Sequence, residues 1–175
     1  MISSWAYILI GDNNTGKTSF QRFLVEALCG ERYDRLPRNI VKPIVHSKAP
    51  RKLATLFTAN RSYQEKLEQY VSVENYFDSF FKDADICILS SHSHGRSLQH
   101  VEQMMEELAK RAYNVAGVFW SNDFGLEAKR IAGLSWQERL WIENPLLKGE
   151  EAISAQIKRC AFDFADLLIA RSHVQ

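Results

Sequence analysis

Short, continuously apolar runs alternate along this chain with longer stretches whose apolar residues recur every three or four positions. The runs at residues 5–10, 86–90 and 115–120 predict buried strands. Residues 53–59 predict a further strand, and residues 44–46 predict at most a short one. Buried strands that alternate with helices are typical of a parallel sheet covered on both faces, so the pattern predicts an α/β fold.

Four stretches have the spacing of helices with one buried face. They cover residues 17–29, 64–81, 97–113 and 150–170. We expect the second helix to bend or break near Ser72, and Gly30 to cap the end of the first. A short further segment lies at residues 134–142.

The size and composition of the chain are those of one globular domain. Its 175 residues, 46% apolar and 25% charged, are enough to bury a core without disulfides. A formal charge of +1 creates no global field that would favour nucleic acid or an anionic membrane. We predict a single domain over residues 1–175, with a basic, proline-containing insert at about residues 31–61.

Cysteine usage and the N-terminal pattern bear on the compartment. Cys29, Cys87 and Cys160 are odd in number and far apart, which fits neither a metal site nor a disulfide framework and favours a reducing cytoplasm. The apolar N-terminal run stops at Gly11, far short of the ~20 residues of a membrane helix. We therefore predict a cytoplasmic protein without a membrane span, whose first ten residues contain a strand rather than a signal.

The strongest motif begins where the first strand ends. Residues 11–18 read Gly-Asp-Asn-Asn-Thr-Gly-Lys-Thr and fit the pattern G-x-x-x-x-G-K-[ST] without a mismatch. The two glycines let the backbone wrap a phosphate with its N–H groups inward, and a helix that begins at Gly16 adds the positive end of its dipole. We expect Lys17 to contact the β- and γ-phosphates, and the Thr18 hydroxyl to ligate Mg²⁺.

With this loop between an apolar strand and an amphipathic helix, the chain resembles the P-loop NTPase superfamily. The resemblance is specific over residues 5–29 and extends over residues 85–122 only in the rhythm of strand and helix. It implies a three-layer α/β fold with a mainly parallel sheet and the nucleotide at the carboxyl ends of the strands. The predicted nucleotide-binding residues are Gly11, Asp12, Asn13, Asn14, Thr15, Gly16, Lys17, Thr18, Ser19 and Asn122.

The residues after the third strand bear on the choice of base. Its tail, Trp120-Ser-Asn122-Asp123, lacks the Asn-Lys-x-Asp tetrad of GTP-specific members. An Asn at this place resembles the base-contacting position of partition-type and dethiobiotin-synthetase-like ATPases. We therefore predict ATP with Mg²⁺ as the ligand, and GTP less readily.

The second acid that P-loop enzymes usually place at the end of a neighbouring strand is missing. This sequence has Ser90 and Ser91 there, while Asp83 and Asp85 precede the strand. Three alternatives stay open: Thr18, phosphates and water hold the metal alone; an acid comes from elsewhere; or hydrolysis is slow.

Four further residues are candidates for the chemistry at the phosphates. We expect Ser90, Ser91 or His92 to face them, because ligands of open α/β sheets gather at the carboxyl ends of the strands. Besides Lys17, the predicted catalytic group is Arg96, as a charge near the γ-phosphate.

Residues 31–61 carry eight Lys or Arg against only two acids, and three of the four prolines. One interpretation is a grip on a second phosphorylated substrate through Arg51 or Arg61. Others are a contact for a protein or another anionic partner such as nucleic acid, or simply a solvated loop.

Two classes of function follow. The first is an ATPase or an ATP-dependent phosphoryl-transfer enzyme. The alternative is a nucleotide-dependent switch or assembly subunit with little turnover, and association with nucleic acid is a further option.

Overall fold

Six strands form one mostly parallel sheet in the computed structural model of the chain, which describes residues 4–174. The strands are β1 (Trp5–Ile10), β2 (Ile40–Pro43), β3 (Thr55–Thr58), β4 (Ile86–Ser91), β5 (Asn114–Trp120) and β6 (Glu138–Ile142). Their spatial order is β2-β3-β4-β1-β5-β6, and all neighbours are parallel except β2 and β3. The predicted α/β class with a mainly parallel sheet is confirmed, although residues 1–3 of the N-terminal segment lie outside the described part.

Six α-helices cover both faces of this sheet. They are α1 (Lys17–Cys29), α2 (Leu67–Tyr70), α3 (Val73–Ser79), α4 (Ser97–Lys110), α5 (Leu126–Ala132) and α6 (Glu150–Val174), and a 3-10 helix at Tyr63–Lys66 leads into α2. Side chains alternate along β1, so Tyr7 and Leu9 pack with α1 and α6, whereas Ala6 and Ile8 pack with α3, α4 and α5. Helices on both faces explain why the strands read as unbroken apolar runs.

The helical stretch predicted at residues 64–81 breaks where expected. The 3-10 helix and α2 end at Val71, whose φ of 65° is unusual for a β-branched residue, and Ser72 then caps α3 by accepting a hydrogen bond from the Asn75 N–H at 3.0 Å. The predicted helix is therefore three short ones.

Two elements differ from the sequence prediction. The short strand expected at residues 44–46 is wrong: the strand lies at β2, where the edge of the sheet tolerates Pro43. The segment at residues 134–142 contains β6, and the unpredicted α5 precedes it because Ala128 and Ile131 bury one face of a short helix.

None of the helices in the described part combines the length and the apolar character that a membrane crossing requires.

Aromatic side chains join α1, α6 and the sheet beneath the loop at residues 11–18. The Phe20 ring lies 5.2 Å from Trp120 and 5.4 Å from Phe164, both edge to face, and Phe164 also meets Tyr7 at 5.3 Å. Edge-to-face pairs add stability beyond their buried area. The start of α1 is thus fixed by packing on both sides.

We expect Phe164→Ala to lower the free energy of unfolding by about 3–5 kcal/mol, because it opens a cavity in this cluster. Phe162 lies on the same helix and is 38% exposed, so Phe162→Ala is the matched control, with an expected cost of about 1 kcal/mol or less. Urea unfolding of the two variants measures the difference. Equal losses would show that the cluster does not hold α6 on the sheet.

Candidate functional site

The loop at residues 11–18 lies where the order of the sheet reverses. Its strand, β1, stands between β4 and β5. After β1 the chain forms β2, β3 and β4 on one side of it, and it then crosses to β5 on the other side. Ligands of open α/β sheets bind in the crevice at this point, outside the carboxyl ends of the strands.

Two residues of the loop adopt positive φ, which curves the backbone into a concave turn. Asn14 has a φ of 66° and Gly16 a φ of 106°. A Cβ on Gly16 would lie 2.9 Å from Ile157 Cδ1, and one on Gly11 would lie 2.8 Å from the Thr15 side chain. Both positions therefore favour glycine. At Gly16 the positive φ disfavours other residues, and at both positions a Cβ would lie too close to a neighbouring side chain.

The first turn of α1 is open to an anion. The residue before the helix is Gly16, which has no side chain to cap the helix. The N–H groups of the first turn have no partner within the helix. Together with the helix dipole they favour a negative ligand at this end.

Lys17 is buried inside the curve of the loop. Its Nζ donates to the Gly11 carbonyl and, at 2.8 Å, to the Asp12 carbonyl. Burial lowers the pKa of Lys17 from 10.5 to about 8, against the opposing effects of Glu65, Asp12 and Asp123. The ammonium thus lacks solvation that an anion in the loop would supply.

Thr18, next along α1, points towards the end of β3. The residue is exposed, and its hydroxyl donates to the Asn60 carbonyl at 3.2 Å. The Asn60 side chain in turn donates to the Leu36 carbonyl at 2.6 Å. The hydroxyl is therefore bound loosely to a neighbour and is accessible to another ligand.

Three residues from the ends of β5 and β6 hold the outer side of the loop. The Asp123 carboxylate accepts from the Asp12 N–H at 2.6 Å and from the Thr15 hydroxyl at 3.1 Å. The side-chain amides of Asn122 and Asn144 both donate to the Thr15 carbonyl, at 3.3 and 3.0 Å. The loop is therefore fixed before any ligand arrives.

The inner side of the loop is tied to the end of β4 through Asp12. Its carboxylate accepts from the Ser93 N–H at 2.9 Å and lies 2.6 Å from His94 Nδ1. Burial alone would raise the pKa of Asp12, but these hydrogen bonds outweigh it and hold the pKa below its ordinary value. The ionised Asp12 carboxylate thus connects the loop to the end of β4.

A cavity of about 230 Å³ opens over the loop. Pockets for whole small ligands measure about 300–1,000 Å³, so this one has the size for a part of a ligand such as its phosphates. Its lining is Asp12, Asn13, Asn14, Thr15, Gly16, Lys17, Thr18, Ser19, Asn60, Ser62 and Glu65.

The structure brings together eight of the nine consecutive residues predicted at positions 11–19 as the lining of this cavity, with Gly11 beneath it. Asn122 lies behind the loop, where it holds Thr15. Arg96 is exposed at the start of α4 and does not line the cavity. Its catalytic role stays a prediction without a contact to support it.

At the end of β4, two of the three residues expected to face the phosphates form hydrogen bonds with other side chains of the protein. The Ser90 hydroxyl accepts from Gln21 at 2.7 Å, and the Ser91 hydroxyl accepts from Gln64 at 2.9 Å. His92 is buried near the cavity, 3.6 Å from Glu65.

Sequence reasoning missed Glu65, the carboxylate that lines the cavity from the 3-10 helix. The second of the three alternatives, an acid from elsewhere in the chain, therefore has a candidate in Glu65, which lines the cavity. The available signal was its place seven residues after β3, at the same edge of the sheet as the loop. Within residues 4–174, no group of three or more His, Cys, Asp or Glu side chains is arranged to hold a metal ion.

The basic segment at residues 31–61 runs past both ends of β3. Arg61 follows the carboxyl end of β3, where the loop at residues 11–18 lies, and pairs with Glu65 at 2.9 Å. Arg51 precedes the amino end of β3, on the opposite side of the sheet from the loop. Of the two candidates for gripping a second substrate, only Arg61 lies near the cavity. Lys42 pairs with Glu31 at 2.7 Å, so part of the segment's charge is neutralised internally.

Comparison with protein-family models and with curated proteins finds no match to this chain.

We expect Lys17→Met to stabilise the ligand-free protein at pH 7 by roughly 1–3 kcal/mol, because it removes a buried ammonium whose pKa is lowered. The wild type should gain stability between pH 8 and 10.5, where the unfolded chain binds a proton that the folded Lys17 has lost. The advantage of the variant should therefore shrink over that range.

Urea unfolding at pH 7 and pH 10 measures this, with the exposed Lys148→Met as the control. A variant less stable than the wild type at pH 7 would show that the ammonium stabilises the empty loop.

Proposed function

We propose that this chain is a P-loop nucleotide-binding protein that binds ATP with Mg²⁺ and acts as an ATPase or ATP-dependent phosphoryl-transfer enzyme. One observation carries the proposal: a buried, poorly solvated lysine inside a concave loop at an uncapped helix start. Each part of that arrangement lowers the free energy of a bound phosphate. The loop also lies where the strand order reverses, which is where open α/β sheets bind their ligands.

The roles of the loop residues follow from their present contacts. Lys17 would exchange part of its bonding to carbonyl oxygens for the charge of the β- and γ-phosphates. The first-turn N–H groups of α1 would donate to the same phosphates. For Mg²⁺, the fitting ligand is the Thr18 hydroxyl, a hard oxygen donor that is exposed at the cavity; the metal would neutralise charge on the phosphates.

The residues after β5 support ATP over GTP as the nucleotide. Asn122, the residue that resembles a base-contacting position, holds the Thr15 carbonyl through its side-chain N–H. The Asn-Lys-x-Asp tetrad that would read guanine is absent from this segment of the sequence. Competition between ATP and GTP for the protein, with a fluorescent ATP analogue as the probe, tests this preference.

A nucleotide-dependent switch is the second candidate, and one contact chain favours it. The Thr18 hydroxyl holds the Asn60 carbonyl, and the Asn60 side chain holds the Leu36 carbonyl. If Thr18 turns to Mg²⁺, the link to the basic segment at residues 31–61 is broken. ATP with Mg²⁺ should then change hydrogen exchange at residues 34–40, and turnover below one per hour with that change present would favour the switch over the enzyme.

We expect Lys17→Met to weaken ATP binding at least about 100-fold, because the phosphates lose a desolvated ionic partner. Isothermal titration calorimetry measures the affinity, with Lys148→Met as the matched control. Wild-type affinity in the Lys17 variant would contradict the proposed site.

We also expect binding to take up protons. At pH 8 about half of the Lys17 side chains are neutral, and phosphate raises their pKa, so binding should take up about half a proton and weaken as the pH rises above 8. Titrations in two buffers of different ionisation enthalpy measure the uptake. No proton uptake in the wild type would contradict the predicted protonation of Lys17. Uptake that persists in Lys17→Met would assign the proton to another group.

A further inference from the structure

A buried nitrogen beside the phosphate cavity has no hydrogen-bond partner. His92 is 7% exposed, and its Nε2 finds no partner within residues 4–174. Glu65 Oε1 lies 3.6 Å from this nitrogen. Buried ring nitrogens are normally satisfied, so this pair stands just beyond a hydrogen bond and a small movement would form it.

Neighbouring side chains fix both members of this pair. Gln64 accepts from the His92 N–H at 3.0 Å and donates to Ser91, which locks the end of β4 to the 3-10 helix. Glu65 Oε2 accepts from Arg61 at 2.9 Å, and Oε1 accepts from the Ser62 N–H at 3.3 Å. Glu65 therefore faces the cavity on one side and His92 on the other.

The charges around the pair favour an ionised carboxylate next to a neutral ring. Burial and then the Lys17 ammonium lower the pKa of His92; His94 acts in the same direction, and Glu65 and Asp12 oppose it. Burial alone would raise the pKa of Glu65, but its bonds with Arg61 and Ser62 outweigh that effect and lower it. At neutral pH Glu65 can accept a proton, and the neutral ring of His92 can accept one from it.

We propose that Glu65 is the catalytic base of ATP hydrolysis in this cavity and that His92 is the positioning residue that receives the proton from it. The inference rests on the proposed function and adds the group that makes water the phosphate acceptor. Lys17 and Thr18 hold the phosphates in the same cavity that Glu65 lines. A carboxylate in that lining can accept a proton from a water inside the cavity.

The step balances as a hydrolysis. A water oxygen forms a bond to the γ-phosphorus while the bond from that phosphorus to the bridging oxygen breaks, and the electron pair of this bond leaves with ADP. The water proton passes to Glu65 Oε1 and from there to His92 Nε2. Release of that proton to solvent restores the pair, so the products are ADP, phosphate and one proton.

Glu65→Gln should bind ATP with Mg²⁺ at least as tightly as the wild type, because it removes a negative charge that competes for Lys17. It should lose at least about 100-fold in kcat, the usual scale for a general base. The matched control is Glu68→Gln, an exposed carboxylate on the following helix. Phosphate release gives the rate and calorimetry gives the affinity.

His92→Gln should shift the pH profile rather than only lower the rate. In the wild type, kcat should rise with pH as His92 loses its proton, with a midpoint below pH 6.5. In His92→Gln the rise of kcat with pH reports the titration of Glu65 alone, so its midpoint should move to lower pH. His173→Gln, at the far end of α6, is the control and should leave the midpoint unchanged. A limb that stays in place in His92→Gln would overturn the role of His92.

The outcomes separate this inference from the proposed function. If Glu65→Gln hydrolyses ATP within threefold of the wild-type rate, Glu65 is not the base. If the wild type binds ATP but shows no turnover above the spontaneous rate, the base is refuted while the nucleotide site stands. If the wild type binds no nucleotide, both fail. Should His92→Gln not fold, the Glu65 variant alone decides.

Discussion

The site depends on a positive charge held where water cannot fully solvate it. The Lys17 ammonium lies inside a loop of backbone carbonyls, at the end of a strand that is itself buried on both faces. Only a rigid surround keeps such a charge in place, because a mobile loop would let it reach solvent. The central strand, the aromatic packing of α1 against α6 and the ties around Thr15 all serve that rigidity.

Local signals in the sequence predicted the central part of the fold and the loop. The strand at residues 5–10, the two glycines and the helix that follows are specified by neighbouring residues, so their arrangement could be predicted without a structure. The break near Ser72 was also predictable from neighbouring residues, because serine is a preferred N-cap and Ser72 caps the helix that follows. The same reasoning misplaced β2, whose pairing with β3 outweighs the low strand propensity of Lys42 and Pro43.

The contacts that complete the cavity come from distant parts of the chain and could not be predicted. Glu65 is 48 positions from Lys17, and Asn144 is 129 positions from the Thr15 carbonyl that it binds. Nothing in their local sequence distinguishes them from other exposed or capping residues. Knowledge of the strand order is required, since it decides which loops meet at one edge of the sheet. Arg96 is close in sequence to that edge, but its exposed side chain does not line the cavity, so its role stays a prediction.

The ties on both sides of the loop have a kinetic consequence. Asp123 and the two asparagines hold the outer side, and Asp12 joins the inner side to β4, so little backbone entropy remains to be lost when a ligand enters. Encounter should then be limited by diffusion and charge rather than by slow rearrangement. For the proposed nucleotide site, differences in occupancy among phosphorylated molecules would then arise from how fast each one dissociates, and residence time would separate one ligand from another.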